Sequence, residues 1–227
     1  MTRHLEISAP NARKPQKLTL AEQAYHRLEE MIITAELPPN TVVSLVTLSK
    51  QLGIGRTPIQ EAAKRLAADF LVEIIPRKGL RVRDVPKDEL EALVQARRPL
   101  ERLLARFAAR NATLEERDLL RKGAKELLAA AKGGDERAVV SADGNLKQIA
   151  LAAARNPFLT SALGPIFTHF RRLYFTSVPV PDIGVARAFQ KAYNAIADRN
   201  EEAAVAAMDN VMIELQRVMG QSSKSAE

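Results

Sequence analysis

The sequence predicts a mainly α-helical protein in two parts: three helices and a small β-hairpin, then an all-α bundle of about six helices. Apolar residues recur at helical spacing from about residue 19 to residue 68, and again beyond Pro86. Between these stretches, Leu71–Ile75 and Leu80–Val85 are β-branched or aliphatic and flank a turn. With 227 residues, 46% of them hydrophobic, the chain is long enough for two domains.

Capping residues set the expected boundaries of the first three helices. Thr19 and Ser44 can each accept a hydrogen bond from a backbone N–H of a first helical turn. Thr57 is predicted to be the third N-cap, because Pro58 after it needs no backbone N–H at the first helical position. The predicted helices end near Ala35, at Leu52 before Gly53, and near Ala68.

The remainder of the chain divides at turn residues and capping signals. Thr113 and Glu116 form a capping box, and Gly133-Gly134 and Asn156-Pro157 mark further joints. We expect helices near 86–110, 113–132, 135–154, 157–175, 184–198 and 201–219. The expected organisation is a disordered arm over 1–17, a first domain over 18–85, a second over 86–220 and a disordered tail over 221–227.

Composition excludes several classes of protein. The absence of cysteine excludes disulfides, thiolate metal sites and cysteine nucleophiles. No apolar run approaches the roughly 20 residues that span a bilayer, and the polar N-terminus does not resemble a signal peptide, so we expect a cytoplasmic protein without a membrane partner. The sequence has no P-loop, glycine-rich nucleotide fingerprint, G-x-S-x-G or two-histidine motif; we therefore expect no enzyme, no catalytic residues and no cofactor.

Positive charge is concentrated in the first part of the chain. Residues 50–83 contain eight basic and three acidic side chains, within a protein of net charge +7. Three helices followed by a hairpin with a basic tip are the layout of a winged helix-turn-helix, which inserts its second motif helix into the major groove of DNA. The candidate DNA contacts are Arg56, Thr57, Gln60, Lys64 and Arg65 from the third helix, and Arg77, Lys78 and Gly79 at the wing tip.

The chemistry of these residue types suits base and phosphate recognition. Arginine binds guanine with both arms and glutamine does the same for adenine, which suits Arg56 and Gln60 to base contacts. Thr57 at a helix N-terminus suits a phosphate. The wing tip suits the minor groove, and Gly79 is expected to permit its close approach.

The string LSKQLGIGRTPIQEAAKRLAADFLVEIIPRKGLRV resembles the DNA-binding domain of the GntR family, whose pattern is LAxxLGVSRTPVREALxxLxxEGLV…PxxGxxV. The resemblance covers residues 18–85 and implies that Arg56 contacts bases while Ser44 and Thr57 lie against the DNA backbone. Four positions depart from the pattern and put the usual operator sequence in doubt, namely Leu45 for Glu, Gly55 for Ser, Gln60 for Arg and Phe70 for Gly.

Residues 86–220 resemble the helical effector domain of the FadR-like subfamily, called FCD. The resemblance rests on Arg97 with Glu101, on SADGNLKQIALAAARNPFL, and on AYNAIADRNEEAAVAAM. It implies the position of a metal site that many members build from one Asp and three His. Here those positions are Asp143, Lys147, Phe189 and Val211, so only the carboxylate remains and we expect no metal.

Asp143 and Lys147 allow two interpretations. Four residues apart on one helix, they can form an exposed ion pair of little energetic value, or Lys147 can lie inside the bundle in place of the metal's charge. In the second case the cavity would bind an anionic ligand through Lys147 or Arg97, with Phe189, Val211 and His169 as further lining residues. For His169, a packing role is the alternative.

Together these observations predict a DNA-binding transcriptional regulator, a repressor or an activator with repression favoured, controlled by a small-molecule effector. Two copies in a symmetric homodimer would read an inverted repeat in double-stranded DNA, and residues 86–227 are expected to dimerise alone. The alternatives are a regulator whose effector core is filled and a helical protein-interaction module that happens to be basic.

Overall fold

The computed structural model describes residues 18–84, 87–177 and 182–224, which form nine helices and three strands. The predicted mainly α fold class is confirmed, while the predicted arm over 1–17 lies outside the described residues. Within the described ranges no helix is long and apolar enough to cross a membrane. The elements are α1 Leu20–Ile33, β1 Val42–Val43, α2 Leu45–Leu52, α3 Arg56–Ala68, β2 Val72–Ile75, β3 Gly79–Val82, α4 Lys87–Asn111, α5 Leu114–Gly133, α6 Glu136–Ala154, α7 Pro157–Ser177, α8 Ile183–Ala197 and α9 Glu201–Lys224.

The ends of the first two helices follow from local chemistry. Thr19 and Glu22 form a reciprocal capping box, in which the Thr19 N–H donates to Glu22 Oε2 at 2.8 Å. Ser44 caps α2, and Gly53 closes it in the left-handed conformation, as predicted. Helix α1 ends at Ile33, two residues before the predicted Ala35, because Ala35 has a φ of 56° and cannot continue the helix.

The prediction that Thr57 caps the third helix is wrong. Helix α3 begins at Arg56, and Gly55 is its N-cap without a side-chain hydrogen bond. The Gly55 carbonyl accepts the first helical bond, from the Ile59 N–H at 3.3 Å. Pro58 is therefore the third helical residue, a position whose N–H has no acceptor within the helix in any case. At the opposite end of the chain, α9 continues to Lys224, so residues 221–224 are helical and not the predicted tail.

The wing is a three-stranded antiparallel sheet in the order β1-β3-β2, one strand more than the predicted hairpin. In the β1–β3 pair, Val42 lies opposite Arg81 and Val43 opposite Leu80. Two residues are too few for a strand to be visible as a period in the sequence. Strand β3 ends at Val82, three residues before the predicted Val85. The next N–H, that of Arg83, donates to the carbonyl of Leu71, which lies just before the start of β2.

Buried side chains in the described part of the chain form two separate apolar clusters. One joins α1, α2, α3 and the sheet through residues such as Leu28, Ile59 and Leu80. The other joins α4 to α9 and contains Leu104, Leu146 and many alanines. Alanine lets helices approach closely, because its small side chain adds little width between their backbones.

Gly79 is required by the contact between β1 and β3. Its φ is 126°, and a Cβ at this position would lie 2.2 Å from the Val43 carbonyl oxygen. Gly79→Ala is therefore expected to lower the free energy of unfolding by about 1–3 kcal/mol from the backbone conformation, with a further loss from the collision. Urea unfolding of the full chain measures this difference.

Gly133→Ala is the matched control, because a Cβ there meets no atom within 4 Å and Gly133 lies in helix α5. This substitution should leave stability unchanged or raise it by up to about 1 kcal/mol. Equal stability of the Gly79→Ala protein and the wild type would contradict the contact.

Candidate DNA-binding surface and effector cavity

The exposed face of α3 carries four of the nine residues expected to contact DNA. Arg56, Thr57, Gln60 and Lys64 are all exposed, and Arg56, Gln60 and Lys64 follow one another at four-residue intervals along one face of the helix. The Ser44 side chain accepts from the Thr47 N–H at 3.0 Å, which places Ser44 at the N-terminus of α2, the first helix of the motif. This arrangement presents a helix N-terminus and one polar helix face together.

Arg65 is engaged elsewhere. Its guanidinium lies 4.5 Å from the centre of the Tyr25 ring in α1, and the Tyr25 hydroxyl donates to Asp69 Oδ2 at 2.7 Å. A guanidinium stacked on a ring of its own domain is held away from the face of Arg56 and Gln60. Arg65 is therefore not among the DNA contacts that we propose.

Two of the three candidate DNA contacts at the wing tip are exposed. Arg77 and Lys78 are exposed, and Arg77 has a φ of 63°, which sets the tight turn between β2 and β3. A Cβ on Gly79 would collide with β1, so the sheet itself requires glycine at this position, and the role of Gly79 in close approach of DNA stays a prediction. Arg77 and Lys78 thus remain the candidate phosphate or minor-groove contacts.

A buried ionic cluster lies in the helical bundle. Glu101 is fully buried, and its Oε1 accepts from Lys147 Nζ at 2.6 Å and from Arg97 Nη2 at 2.7 Å. The rings of Phe167 and Phe170 cover the two cations, with Lys147 Nζ 4.3 Å from the centre of Phe167 and Arg97 Cζ 4.2 Å from that of Phe170. Two cations thus share one carboxylate oxygen inside an apolar wall.

Burial and ion pairing shift the pKa values of this cluster in opposite ways. Burial alone would raise the pKa of Glu101, but Lys147 and Arg97 outweigh it and hold that pKa below 4.5. Burial lowers the pKa of Lys147, and Glu101 offsets this only in part. Burial also raises the pKa of Tyr193, which stacks on Phe189, so its hydroxyl stays protonated.

A cavity of about 60 Å³ lies beside this cluster. Of the residues expected to bind an effector, Arg97, Asp143, Lys147 and Phe189 line it. The expectation for Val211 and His169 is not met: Val211 is fully buried in the apolar cluster, and His169 faces the DNA-binding domain. The other lining residues include Phe167, Phe170, Arg171, Val139, Ala186 and Leu215.

Lys147 lies inside the bundle, which agrees with the second of the two interpretations of the Asp143 and Lys147 pair. It does not, however, form its ion pair with Asp143. It pairs with Glu101 on α4, while Asp143 Oδ1 has no hydrogen-bond partner within the described ranges. From the sequence, Glu101 is only part of a family pattern, and its role as the buried counter-charge of two cations was not predicted. The available signal was the four-residue spacing of Arg97 and Glu101, which pairs them on one helix face.

The residues at the family's metal position do not fit a metal ion. Lys147 places an ammonium group there, and Phe189 and Val211 offer no lone pair. Among the described residues no group of three or more His, Asp or Glu side chains is arranged to hold a metal. The absence of a bound metal from the protein stays a prediction.

Helix α7 joins the cavity to the DNA-binding domain. Three of its residues hydrogen-bond to that domain: Thr168 Oγ1 to Glu29 Oε1 at 2.5 Å, His169 Nε2 to the Asp69 carbonyl at 2.9 Å, and Arg172 Nη1 to the Arg83 carbonyl at 2.7 Å. Asp69 is the C-cap of α3. The neighbouring residues Phe167, Phe170 and Arg171 line the cavity, so α7 touches both with adjacent side chains.

A winged helix-turn-helix with an exposed polar recognition helix, joined to a helical bundle with an internal cavity, defines a DNA-binding regulator. Residues 20–82 match the description "Bacterial regulatory proteins, gntR family", and residues 92–213 match the FCD domain. The chain belongs to the GntR family of transcriptional regulators, in the group that carries an FCD domain, and is not an enzyme.

Relatives of known sequence and structure agree with this assignment. The chain is 31% identical over 134 residues to an uncharacterized HTH-type transcriptional regulator of Agrobacterium vitis, covering 58% of this chain and 78% of that one. It is 30% identical over 146 residues to a probable D-xylose utilization operon transcriptional repressor of Paenarthrobacter nicotinovorans, covering 64% of each. The solved structure of E. coli McbR/YncC shares the fold, with a TM-score of 0.81 at 18% identity, covering 91% of this chain and all of that one.

Glu101→Gln is expected to destabilise the helical bundle at pH 7 by about 3–5 kcal/mol, because it leaves two buried cations without a counter-charge. The folded pKa of Glu101 lies below 4.5, so its carboxylate stabilises the fold above that pH. The contribution is lost as the pH falls through the folded pKa. Urea unfolding should therefore show the two proteins converging below pH 4.5.

Glu126→Gln is the control, because Glu126 is an exposed carboxylate on α5 whose ion pair with Lys122 is long, at 3.9 Å. Its stability should match the wild type at both pH values. A Glu101→Gln protein as stable as this control at pH 7 would refute the ionic cluster.

Proposed function

We propose that the protein is a homodimeric repressor whose affinity for an inverted-repeat operator is controlled by a small molecule bound in the cavity of the helical bundle. The observation that carries this proposal is the position of α7 between the cavity and the C-cap of α3. Two symmetric copies would bring two recognition helices to two half-sites, which is why the operator is proposed to be an inverted repeat.

The proposed reading of DNA rests on α3 and the wing. Arg56 at the first helical position reaches guanine O6 and N7, and Gln60 one turn later reaches adenine N6 and N7. Lys64, a further turn along, and Lys78 at the wing tip contact phosphates. Arg65 takes no part, because it stacks on Tyr25.

The proposed control acts through α7. A ligand that packs against Phe167 and Phe170 would favour one position of this helix over another. Since His169 donates to the Asp69 carbonyl, a shift of α7 would change how the recognition helix is held. Such control requires only that the ligand have different affinities for the two conformations of the protein that differ in the position of α7.

Two alternatives are less well supported. A filled effector core would leave no space beside Lys147, whereas a cavity of about 60 Å³ is present. A protein-interaction module would not need the polar, exposed face of α3. The repressor sign is proposed from the relative in Paenarthrobacter nicotinovorans, whose name describes a repressor.

Substitutions on α3 and at the wing should have different effects on a DNA-binding profile measured base by base with random-sequence libraries. Arg56→Ala should cost roughly 1–3 kcal/mol at one position in each half-site and relax the preference there. Gln60→Ala should relax a preference for adenine at a neighbouring position. Lys78→Ala should weaken all sequences about equally and reduce the salt dependence by about one phosphate contact.

Arg65→Ala is the matched control on the same helix and should leave the profile of base preferences unchanged. A Gln60→Ala profile identical to that of the wild type would disprove the adenine contact. A single half-site in the wild-type profile would disprove the symmetric operator.

The role of α7 can be tested with a double-mutant cycle before any ligand is known. Ala186→Leu adds carbon atoms to the cavity wall on α8 and so acts as a covalent substitute for a ligand. It should change the affinity for the selected operator, and His169→Ala should reduce that change, with a coupling free energy of about 0.5–3 kcal/mol.

In the control cycle, Arg98→Ala replaces His169→Ala. Arg98 is a half-exposed residue of α4 that pairs with Asp209 on α9. Among the described residues, it makes no bond to the DNA-binding domain. Its cycle with Ala186→Leu should give additive free energies. Additive free energies in the His169 cycle as well would exclude α7 as the connection.

A further inference from the structure

We infer that the effector is a compact, neutral molecule bearing a hydroxyl group, which Asp143 and Arg171 hold together. This inference rests on the proposed function, since it concerns the same cavity. It replaces the anionic ligand expected from the sequence, and it follows from which charged atoms around the cavity are already paired.

The two cations expected to bind an anion are already satisfied. Lys147 Nζ lies 2.6 Å from Glu101 Oε1, and Arg97 donates to the same oxygen from Nε at 2.9 Å and from Nη2 at 2.7 Å. Both cations also lie against phenylalanine rings. An anionic ligand would have to compete with Glu101 for them inside a low-dielectric wall, where Glu101 cannot regain water.

Two other polar atoms of the lining are unpartnered. Asp143 Oδ1 and Arg171 Nε are buried and have no hydrogen-bond partner in the described ranges. Both residues line the same cavity. The cavity thus offers one buried acceptor and one buried donor, each of which is costly to leave unsatisfied.

A hydroxyl group satisfies both atoms, because it donates its proton to a carboxylate and accepts from a guanidinium. A carboxylate ligand could accept from Arg171 but would face the like charge of Asp143. An ammonium ligand could donate to Asp143 but would face Arg171 and Lys147.

Asp182 also lines the cavity, but it accepts from the Val185 N–H at 2.8 Å and from Arg217 Nη2 at 3.1 Å. Most of the remaining lining residues are apolar, with Phe167, Phe170 and Leu215 among them, which suits a hydrocarbon body.

The size of the cavity limits the ligand. A volume of about 60 Å³ corresponds to about four to six water-sized groups. In this conformation the site holds a short branched alcohol or a small diol. A long acyl chain or a nucleotide would require the helices to separate.

Isobutanol, isobutylamine and isobutyrate test the inference, because they share one hydrocarbon skeleton and differ in the polar group. Binding to the full-length protein is measured at pH 7 by titration calorimetry and by protein NMR. Isobutanol should bind the wild type at least about tenfold more tightly than isobutyrate, the penalty expected for a like-charge contact. Asp143→Asn should reduce that ratio by about tenfold, because it removes the negative charge and keeps the side-chain shape.

Asp118→Asn is the matched control, since Asp118 is an exposed carboxylate on α5 outside the cavity lining, and it should leave all three affinities unchanged. Tighter binding of isobutyrate or isobutylamine to the wild type would overturn the neutral class while keeping the cavity as the ligand site. If none of the probes binds, or if binding is the same in Ala186→Leu, which narrows the cavity, both this inference and ligand control at this site fail.

Discussion

The buried Glu101 carboxylate is the group on which the arrangement of the helical bundle depends. It brings α4 and α6 together through Lys147, and it holds Arg97 against Phe170 of α7. Two cations within an apolar core would be strongly destabilising without it. Glu101 bonds to both cations and offsets one of their two positive charges. Among the described residues that line the adjacent cavity, the buried polar atoms without a partner are then Asp143 Oδ1 and Arg171 Nε.

The same cluster explains how one helix can serve two domains. The face of α7 that bears Phe167 and Phe170 is fixed by the ionic cluster, while Thr168, His169 and Arg172 bond to the DNA-binding domain. Backbone carbonyls accept two of these three bonds, at Asp69 and Arg83. The contact therefore depends on the position of the backbone of the DNA-binding domain, including that of Asp69 at the C-cap of α3.

The backbone conformation at position 70 suits the Gly of the family pattern better than the Phe of this chain. Phe70, where the family has Gly, adopts a φ of 60° just after α3. Such a conformation is unfavourable for a bulky side chain. The Phe70 ring gains a compensating contact with the Arg83 guanidinium at 5.6 Å, next to the carbonyl that Arg172 binds. The departure thus lies at the domain contact and not on the DNA-reading face.

The sequence by itself determined the fold class, most helix boundaries, the family and the exposed residues of α3, because periodicity, capping and the Arg56-Thr57-Pro58 motif are local signals. Tertiary structure alone decided which partners these residues have. Strand β1 is two residues long, Arg65 turns to Tyr25, and Gly79 is required by the Val43 carbonyl. Lys147 pairs with Glu101, 46 positions away, and not with its helical neighbour Asp143. Local spacing predicts which residues can meet on one helix, but the pairing of a buried charge is decided by the charges on the helices packed around it.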